Sequence, residues 1–312
     1  MTEPKYWFQP SSTPAQADGS EVASAGDRAA PDVYVFDKDQ LIVRAVNVAG
    51  ATGRPLLIDG PSGCGKSSLA YYIAWAMRWP LHSISITSRT QATDLMYTVD
   101  QLKRLQDAQA KELKEIENYI RPGVLWKGFD PEGAKQVTAS SVPKPEATAN
   151  GAKLPQPNSG AVILIDEIDK ADPDVPNNLL VPLGSYRFEV PELAGVVHAQ
   201  QIPFIVLTSN NERKLPPAFL RRCVHLTLPE PDEERVIAAG RAHNAAPDAT
   251  ITAIARLFFP GTATARREAP VSIAEYLDAV RACHALSIDP GSDHWKWVHS
   301  IIMGRDQGSR NK

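Results

Sequence analysis

The sequence predicts an α/β fold in which helices cover both faces of a mostly parallel sheet, followed by a smaller, all-helical domain. Two observations lead to this prediction. Up to residue 229, short apolar runs alternate with helical segments, which is typical of parallel strands joined by crossover helices. From residue 230 to residue 305 only helical segments remain. The length of 312 residues also suits a large domain with a smaller companion.

Five segments are predicted as strands because each is a short apolar run bounded by turn residues or ending in polar ones. In chain order they read PLLIDG, LHSISIT, AVILID, IPFIVLTSN and CVHLTL. A helix from Asp37 to Ala49 precedes the first strand, and KSSLAYYIAWAMRW after that strand is apolar enough to be a buried helix. The segment DLMYTVDQLKRLQDAQAKELKEIENYI is predicted as one helix with an imperfect apolar stripe from Leu102 to Ile120.

Three segments are predicted to lie outside the packed domains. Residues 1–31 and 306–312 are predicted as disordered tails, and residues 131–160, with five prolines, as a mobile insertion, because few large apolar side chains there could offset the entropy lost on ordering. The aromatic cluster Tyr6, Trp7 and Phe8 either docks on a neighbouring molecule or belongs to a partly ordered terminus. The predicted domains are therefore residues 32–229 and residues 230–305.

The composition narrows the classes of partner. A net charge of −3 and a pI of about 6.2 give no electrostatic footprint for nucleic acid. The three cysteines, Cys64, Cys223 and Cys283, lack the short spacing of a metal site and are expected to be reduced thiols of a cytoplasmic protein. No apolar run approaches the roughly 18 residues of a membrane span, and the chain does not start with a signal-peptide pattern. No membrane association is expected.

The stretch from Gly60 to Ser67 matches the phosphate-binding pattern G-x-x-x-x-G-K-[ST] in full. Its glycines let backbone N–H groups surround phosphate oxygens, and the start of the following helix adds partial positive charge. Lys66 is expected to reach the β- and γ-phosphates of ATP, and the Ser67 hydroxyl to ligate Mg²⁺. The predicted nucleotide-binding residues are Gly60, Pro61, Ser62, Gly63, Cys64, Gly65, Lys66, Ser67 and Ser68. A P-loop NTPase sheet is the fold in which such a loop occurs.

Acidic residues follow a second buried strand, VILIDE. In open α/β sheets, ligands sit at the carboxyl ends of the strands. Asp166 is therefore expected to hold Mg²⁺, and Glu167 to act as the general base toward the attacking water. Asp169, Asp172 and Asp174 are interpreted as caps of the following helix.

Two further segments have both a catalytic and a structural interpretation. The strand that ends in LTSNN supplies Asn210, with Thr208 as runner-up, either to position the water near the γ-phosphate or to begin a turn. In LPPAFLRRC, Arg221 and Arg222 either cap a helix or project as an arginine finger into a neighbouring subunit. The physical chemistry of the sequence does not choose between these alternatives.

Four segments in this order, DGPSGCGKSSLA, VILIDEIDKA, LTSNNE and PPAFLRRC, resemble those of AAA+ ATPases. The closer likeness is to the MoxR-like branch, through TSNNERKLPPAFLRRC, FEVPELAG, and TVDQLKRLQDAQ followed by RPGVLWKGF. The resemblance covers residues 33–287.

This resemblance implies a ring, usually a hexamer, with ATP bound between subunits and a helical lid over the nucleotide. Asn210 matches the sensor 1 position, and Arg222 the trans-acting finger, with Arg221 as its substitute. Residues Val124 to Phe129 would face the pore or an adaptor. MoxR-like proteins remodel or activate a protein client, often a partner with a von Willebrand factor A domain.

The chain departs from the AAA+ pattern in the lid. Many lids carry a sensor 2 arginine where PVSIAEYLDAV has Ala274, so Arg266, Arg267 or Arg281 is a candidate substitute. Two functions therefore stay open. One is an ATP-hydrolysing ring that remodels a partner, favoured by Asp166 and Glu167; the other is a slowly hydrolysing, nucleotide-gated signalling switch, favoured by the absent arginine. A small-molecule kinase and a nucleic-acid motor are less consistent with the helical domain and the pI.

Overall fold

The computed structural model describes residues 7–10, 31–37, 39–138, 160–259 and 271–303. In chain order the first elements are α1 (Leu41–Thr52), β1 (Leu56–Asp59), α2 (Lys66–Met77), β2 (Leu81–Ser85), α3 (Ala92–Met96), β3 (Tyr97–Val99), α4 (Gln101–Gln109), β4 (Ile120–Pro122), α5 (Val124–Phe129), α6 (Pro131–Thr138) and β5 (Val162–Asp166). They are followed by α7 (Asp174–Asn178), α8 (Leu180–Ser185), β6 (Arg187–Val190), β7 (Gly195–His198), β8 (Phe204–Ser209), α9 (Pro217–Leu220), β9 (Val224–Thr227), α10 (Glu233–Ala242), α11 (Asp248–Phe258), α12 (Ile273–Ala285) and α13 (Asp293–Met303).

The main sheet has five strands in the order β2-β5-β8-β1-β9. The pairs β2 with β5, β5 with β8, and β8 with β1 are parallel. All six residues of β8 and the first four of β5 are buried, as expected for Val-, Ile- and Leu-rich strands covered on both faces. The predicted α/β fold with five strands is confirmed. The carboxyl ends of β5 and β8 lie at one edge of the sheet, where they deliver Asp166 and Ser209.

The chain divides into two compact units. The first contains Lys38–Asp59 and Ile73–Leu226, and the second contains Asp27–Asp37, Gly60–Tyr72 and Thr227–Lys312. The second unit has a core of its own, formed by α10 to α13, with Val236, Ile254, Tyr276 and Val280 fully buried. The predicted helical region is therefore present, and the segment Gly60–Tyr72 groups with it. None of the described helices is long and apolar enough to cross a membrane.

The prediction of one long helix after β2 is wrong. The chain forms α3, then β3, α4 and β4, and β3 pairs with β4 in an antiparallel hairpin. The Asp100 side chain caps α4 by accepting a hydrogen bond from the Lys103 N–H at 2.9 Å. Leu102 and Leu105 of the predicted apolar stripe are 67% and 57% exposed. Because β3 and β4 have only three residues each, neither is long enough to show an alternating strand pattern within the segment predicted as a helix.

The expectation that residues 124 to 129 face a pore or an adaptor is also wrong. This segment is α5, and its Leu125, Trp126 and Phe129 are at most 1% exposed. A Cβ on Gly128 would lie 2.4 Å from Ile163 Cδ1 of β5, so α5 packs closely on the sheet. The aromatic residues in RPGVLWKGF belong to the core.

Two predicted tail and insertion boundaries differ from the structure. Residues 131–138 form α6 rather than the start of a mobile insertion, and Ala134 and Val137 are buried in the core. In the first predicted tail, Phe8 is 1% exposed and the Trp7 ring stacks on Trp79 with centroids 6.0 Å apart. Trp7 and Phe8 of the aromatic cluster therefore pack on their own chain. Tyr6 lies outside the described residues, as do the other residues of 1–6 and residues 11–30, 139–159 and 304–312.

Candidate active site

The predicted phosphate loop has a backbone that favours glycine at two positions. Gly63 and Gly65 have φ values of 75° and 95°, in the left-handed region that residues with a Cβ rarely adopt. The loop leads into α2, which begins at Lys66. A loop of this conformation before a helix N-terminus is suited to binding phosphate through backbone N–H groups.

Lys66 is 6% exposed and its ammonium lies against the loop itself. Nζ donates hydrogen bonds to the carbonyl oxygens of Gly60, at 2.7 Å, and Pro61, at 2.8 Å. A buried ammonium needs such partners because desolvation of a charge is costly. These two backbone oxygens hold the lysine ammonium at the loop.

Other residues of the second compact unit, to which the loop also belongs, donate hydrogen bonds to carbonyl groups of the loop. The Ile273 N–H, at the start of α12, donates to the Gly63 oxygen at 3.0 Å. Arg235 of α10 donates from Nη2 to the Cys64 oxygen at 3.3 Å. A Cβ on Gly63 would lie 2.0 Å from Ser272 Oγ, so a side chain there is excluded by packing as well as by φ.

Burial also decides the chemistry of Cys64 and its neighbour Tyr34. Burial raises the pKa of the Cys64 thiol and the pKa of the Tyr34 phenol, because both charged forms lose hydration. A protonated thiol is neither a metal ligand nor a nucleophile. Cys64 is therefore a packing residue of the loop, and the Tyr34 ring contacts the loop near Gly65, 3.6 Å from where a Cβ would stand.

The carboxylate side of the predicted site is organised by a buried threonine. The Thr208 hydroxyl donates to Asp166 Oδ1 at 2.5 Å and accepts from the Glu167 N–H at 2.8 Å. Thr208 is fully buried, and both bonds join β8 to the end of β5. Thr208, the runner-up for positioning water, is thus engaged with the two acidic residues themselves.

Glu167, predicted as the general base, and Asn210, predicted to position the water, lie in contact. Asn210 Nδ2 donates to Glu167 Oε1 at 3.2 Å. Glu167 has φ 59° and ψ 48°, a left-handed conformation that is uncommon outside glycine and that recurs at functional sites. The turn that follows is the 3-10 helix Ile168–Lys170.

Asp169 links this turn to the loop after β8, a role that its interpretation as a helix cap did not include. Its carboxylate is 2% exposed, and Oδ2 accepts hydrogen bonds from the N–H groups of Asn210, at 3.1 Å, and Glu212, at 2.9 Å. These two hydrogen bonds to one carboxylate oxygen hold the backbone of the loop at Asn210 and Glu212. The sequence carried no signal for this contact beyond the presence of an acid.

The arginine pair is exposed at the end of α9. Both Arg221 and Arg222 are exposed. Arg222 Nη1 donates to the Ala218 oxygen of α9 at 3.5 Å, a long bond that matches the helix-capping alternative, and the Arg222 side chain passes 3.3 Å from where a Cβ on Gly184 would stand. Just beyond the helix, Arg54 Nη2 donates to the oxygens of Arg221, at 2.6 Å, and Cys223, at 2.7 Å. The sequence reasoning missed this contribution of Arg54.

The candidate sensor 2 substitutes fall into two groups. Arg266 and Arg267 lie outside the described residues. Arg281 follows Ile273 by more than two turns of α12. Burial lowers the pKa of His243, and the charge of Arg281 lowers it further. Among the described residues of the helical unit, Arg235 contacts the phosphate loop at the Cys64 oxygen.

Ser67 and Asp166 are the predicted magnesium ligands. Within the described ranges, no group of three His, Cys, Asp or Glu side chains could by itself hold a metal ion. Mg²⁺ usually takes one or two protein ligands, keeps several waters and shares the phosphates of a nucleotide. One hydroxyl, Ser67, and one carboxylate, Asp166, are the donor types that such an ion uses.

A glycine loop before a helix, acids at the end of a buried parallel strand, and a polar side chain at the end of the next strand define the P-loop class of nucleotide-binding proteins. The profile of the AAA domain, dynein-related subfamily, matches residues 55–223. The chain therefore belongs to this family, whose members are ATPases.

Two proteins of known structure, RuvB and NtrX, have a similar fold. The Thermotoga maritima RuvB P216G mutant is 16% identical, with a TM-score of 0.48, over 87% of this chain and 72% of that one. NtrX from Brucella abortus is 14% identical, with a TM-score of 0.46, over 85% of this chain and 53% of that one. No curated protein sequence matches the chain.

Proposed function

We propose that this protein is a MoxR-like AAA+ ATPase that hydrolyses ATP between the subunits of a ring and uses the turnover to remodel or activate a protein partner. The observation that carries the proposal is the contact between Glu167 and Asn210, 3.2 Å apart, beside Asp166. A carboxylate held by an amide at the end of a buried strand is suited to orient a water for attack on phosphate.

Each part of the reaction has a residue to perform it. The loop N–H groups and Lys66 bind the phosphates. Ser67 and Asp166 would hold Mg²⁺, which when bound would neutralise charge on the phosphate oxygens. Glu167 accepts a proton from the attacking water, and Asn210 fixes the position of that water together with the glutamate. Thr208 and Asp169 hold the backbone of Glu167 and of Asn210 by accepting hydrogen bonds from their N–H groups.

The ring is proposed from the arginine pair. Arg222 is exposed, and the hydrogen bond from its Nη1 to the Ala218 oxygen is long, at 3.5 Å, so the guanidinium can leave that carbonyl for a neighbouring molecule. A guanidinium supplied in trans stabilises the charge that develops on the transferred phosphoryl group. Arg221, the next residue, is the substitute.

The protein partner is proposed from the sequence alone. FEVPELAG and the stretch from Thr208 to Cys223 resemble MoxR-like proteins, whose clients are proteins and often carry a von Willebrand factor A domain. A hexameric ring and a cytoplasmic location are part of the same proposal. A pull-down with the Glu167→Gln variant in the presence of ATP should retain the client, because hydrolysis no longer releases it.

Mixing two inactive variants tests the shared site. Arg222→Ala removes the finger, and Glu167→Gln removes the base, so each variant alone should lose ATP turnover, by about 10-fold or more. When the two are mixed, rings contain interfaces with both intact parts, and turnover should return. Arg256→Ala, at an exposed arginine of α11, is the control and should be active. Full activity of Arg222→Ala, or a monomer in the presence of a non-hydrolysable ATP analogue, would contradict the ring.

A nucleotide-gated signalling switch is the second candidate, and the start of α12 favours it. Where a sensor 2 arginine is expected the chain has Ala274, and the Ile273 N–H contacts the loop at Gly63. At this point the helical unit contacts the loop through a backbone N–H, which carries no formal charge, rather than through an arginine. Turnover that is negligible in the wild type, together with tight ATP binding, would favour this candidate.

A further inference from the structure

The side chain of Glu167 is held on both of its carboxylate oxygens. Asn210 donates to Oε1 at 3.2 Å, and Lys170 Nζ donates to Oε2 at 2.7 Å. The second bond is the shorter and joins two opposite charges, which strengthens it. Lys170 was not among the residues that the sequence suggested for catalysis.

The local backbone places Lys170 over the glutamate. The Glu167 N–H is bound by Thr208, and the Glu167 carbonyl oxygen accepts the Lys170 N–H at 2.9 Å, which closes the 3-10 turn. With the backbone of Glu167 in the left-handed region, the two side chains three residues apart meet on one side of the turn. The ion pair is therefore set by the four-residue turn from Glu167 to Lys170.

The surroundings keep the Lys170 ammonium charged. The hydrogen bond that Lys170 donates to Glu167 raises the pKa of Lys170, and the negative charges of Glu167, Glu212 and Asp169 raise it further. The Lys170 and Glu167 side chains are 40% and 32% exposed, so the pair is partly screened by water and of modest strength. A modest pair can be broken during each turnover.

We propose that Lys170 is a positioning residue that restrains Glu167 between turnovers. The ammonium occupies Oε2 and neutralises the charge that Glu167 needs to polarise the attacking water, so hydrolysis requires that oxygen to leave Lys170. This inference rests on the proposed ATPase function. Lys170 thereby lowers the basal rate of ATP hydrolysis by this chain, an effect called the brake below.

Steady-state ATP turnover of Lys170→Met tests the brake. Removal of the cation should raise basal kcat about two- to fivefold, the range set by one partly exposed ion pair, while KM for ATP stays unchanged. Lys170→Arg, which keeps the cation, should behave as the wild type does. The matched control is Lys135→Met, because Lys135 makes an equally short pair with Glu132, at 2.8 Å and also three residues apart, away from the site.

Failure of this inference differs from failure of the ATPase proposal. An unchanged or lower kcat in Lys170→Met would overturn the brake even if all variants bind and hydrolyse ATP. If no variant, the wild type included, binds a fluorescent ATP analogue, the proposed function fails. The ion pair is then tested without turnover, by a double-mutant cycle on unfolding with Glu167→Gln and Lys170→Met. Additive effects in that cycle would overturn the pair, and non-additive effects would support it.

Discussion

The loop Gly60–Ser67 is shaped by backbone conformation and by hydrogen bonds to its own carbonyl groups, whereas the cluster around Glu167 is shaped by hydrogen bonds between side chains. In the loop, Lys66 Nζ donates to two backbone oxygens, those of Gly60 and Pro61. In the cluster, by contrast, Thr208, Asp169, Asn210 and Lys170 each contribute a side-chain atom.

This difference teaches which changes each region tolerates. A backbone cradle is sensitive to added volume and to loss of its one cation, while it tolerates changes in neighbouring side chains. A side-chain network fails when one buried member loses its partner, because the remaining groups are left without a hydrogen bond. Substitutions in the loop should therefore affect ATP affinity, and substitutions in the cluster should affect stability and kcat.

Lys66→Ala should produce the largest change in affinity. Loss of a charged donor to phosphate should weaken ATP binding about 10- to 100-fold, with little change in the free energy of unfolding. Titration with a fluorescent ATP analogue measures the affinity. Lys127→Ala, at an exposed lysine of α5, should bind ATP as the wild type does. If Lys66→Ala also bound ATP with wild-type affinity, the proposed role of the loop in ATP binding would be contradicted.

Thr208→Val should mainly affect the cluster. The isosteric change leaves the Glu167 N–H and Asp166 Oδ1 without the partner at 2.8 Å and 2.5 Å, which should lower the free energy of unfolding by about 1–3 kcal/mol. We expect kcat to fall while ATP affinity stays within about twofold. Urea unfolding and steady-state kinetics measure the two effects.

The control for this variant is Thr252→Val. The Thr252 hydroxyl is exposed and donates only to carbonyl groups of its own helix, at 2.8 Å and 3.2 Å. Its replacement should cost less than about 0.5 kcal/mol. Equal destabilisation by the two valine variants would show that the buried network carries no special weight.

Arg235→Met should have the smallest effect. Its bond to the Cys64 oxygen, at 3.3 Å, supports the loop through a carbonyl group, so its loss should weaken ATP affinity about two- to fivefold. Arg241→Met on the same helix is the control, because Arg241 pairs with Asp248 rather than with the loop. An affinity loss shared by both variants would indicate a general effect on α10.

The sequence was a good guide where the signal is local. The strands β1, β2, β5, β8 and β9 were predicted from apolar runs, and the phosphate loop from a continuous motif. Local periodicity failed at the hairpin of β3 and β4. The segment predicted as one helix includes Tyr97, which lies in β3, and Ile120, which lies in β4. It also failed at α5, where an aromatic stretch interpreted as a surface feature is packed on the sheet.

In the site, the residues of each motif were predictable but their partners were not. Thr208 and Asp166 are 42 positions apart, Asn210 and Asp169 are 41 apart, and Arg235 and Cys64 are 171 apart. Such contacts depend on strand order and on packing of helices, and no spacing rule in one sequence encodes them. Lys170 is the exception, because its three-residue separation from Glu167 was visible, although the left-handed backbone that aligns the pair was not.

The central claim is that Glu167 carries out hydrolysis and contributes little to ATP binding. The most direct test measures ATP affinity and steady-state ATP turnover for the wild type and for Glu167→Gln, both with Mg²⁺. We expect the wild type to turn over ATP, and the variant to bind ATP within about twofold of the wild type but to lose at least about 100-fold in kcat. Wild-type turnover by Glu167→Gln would contradict the account.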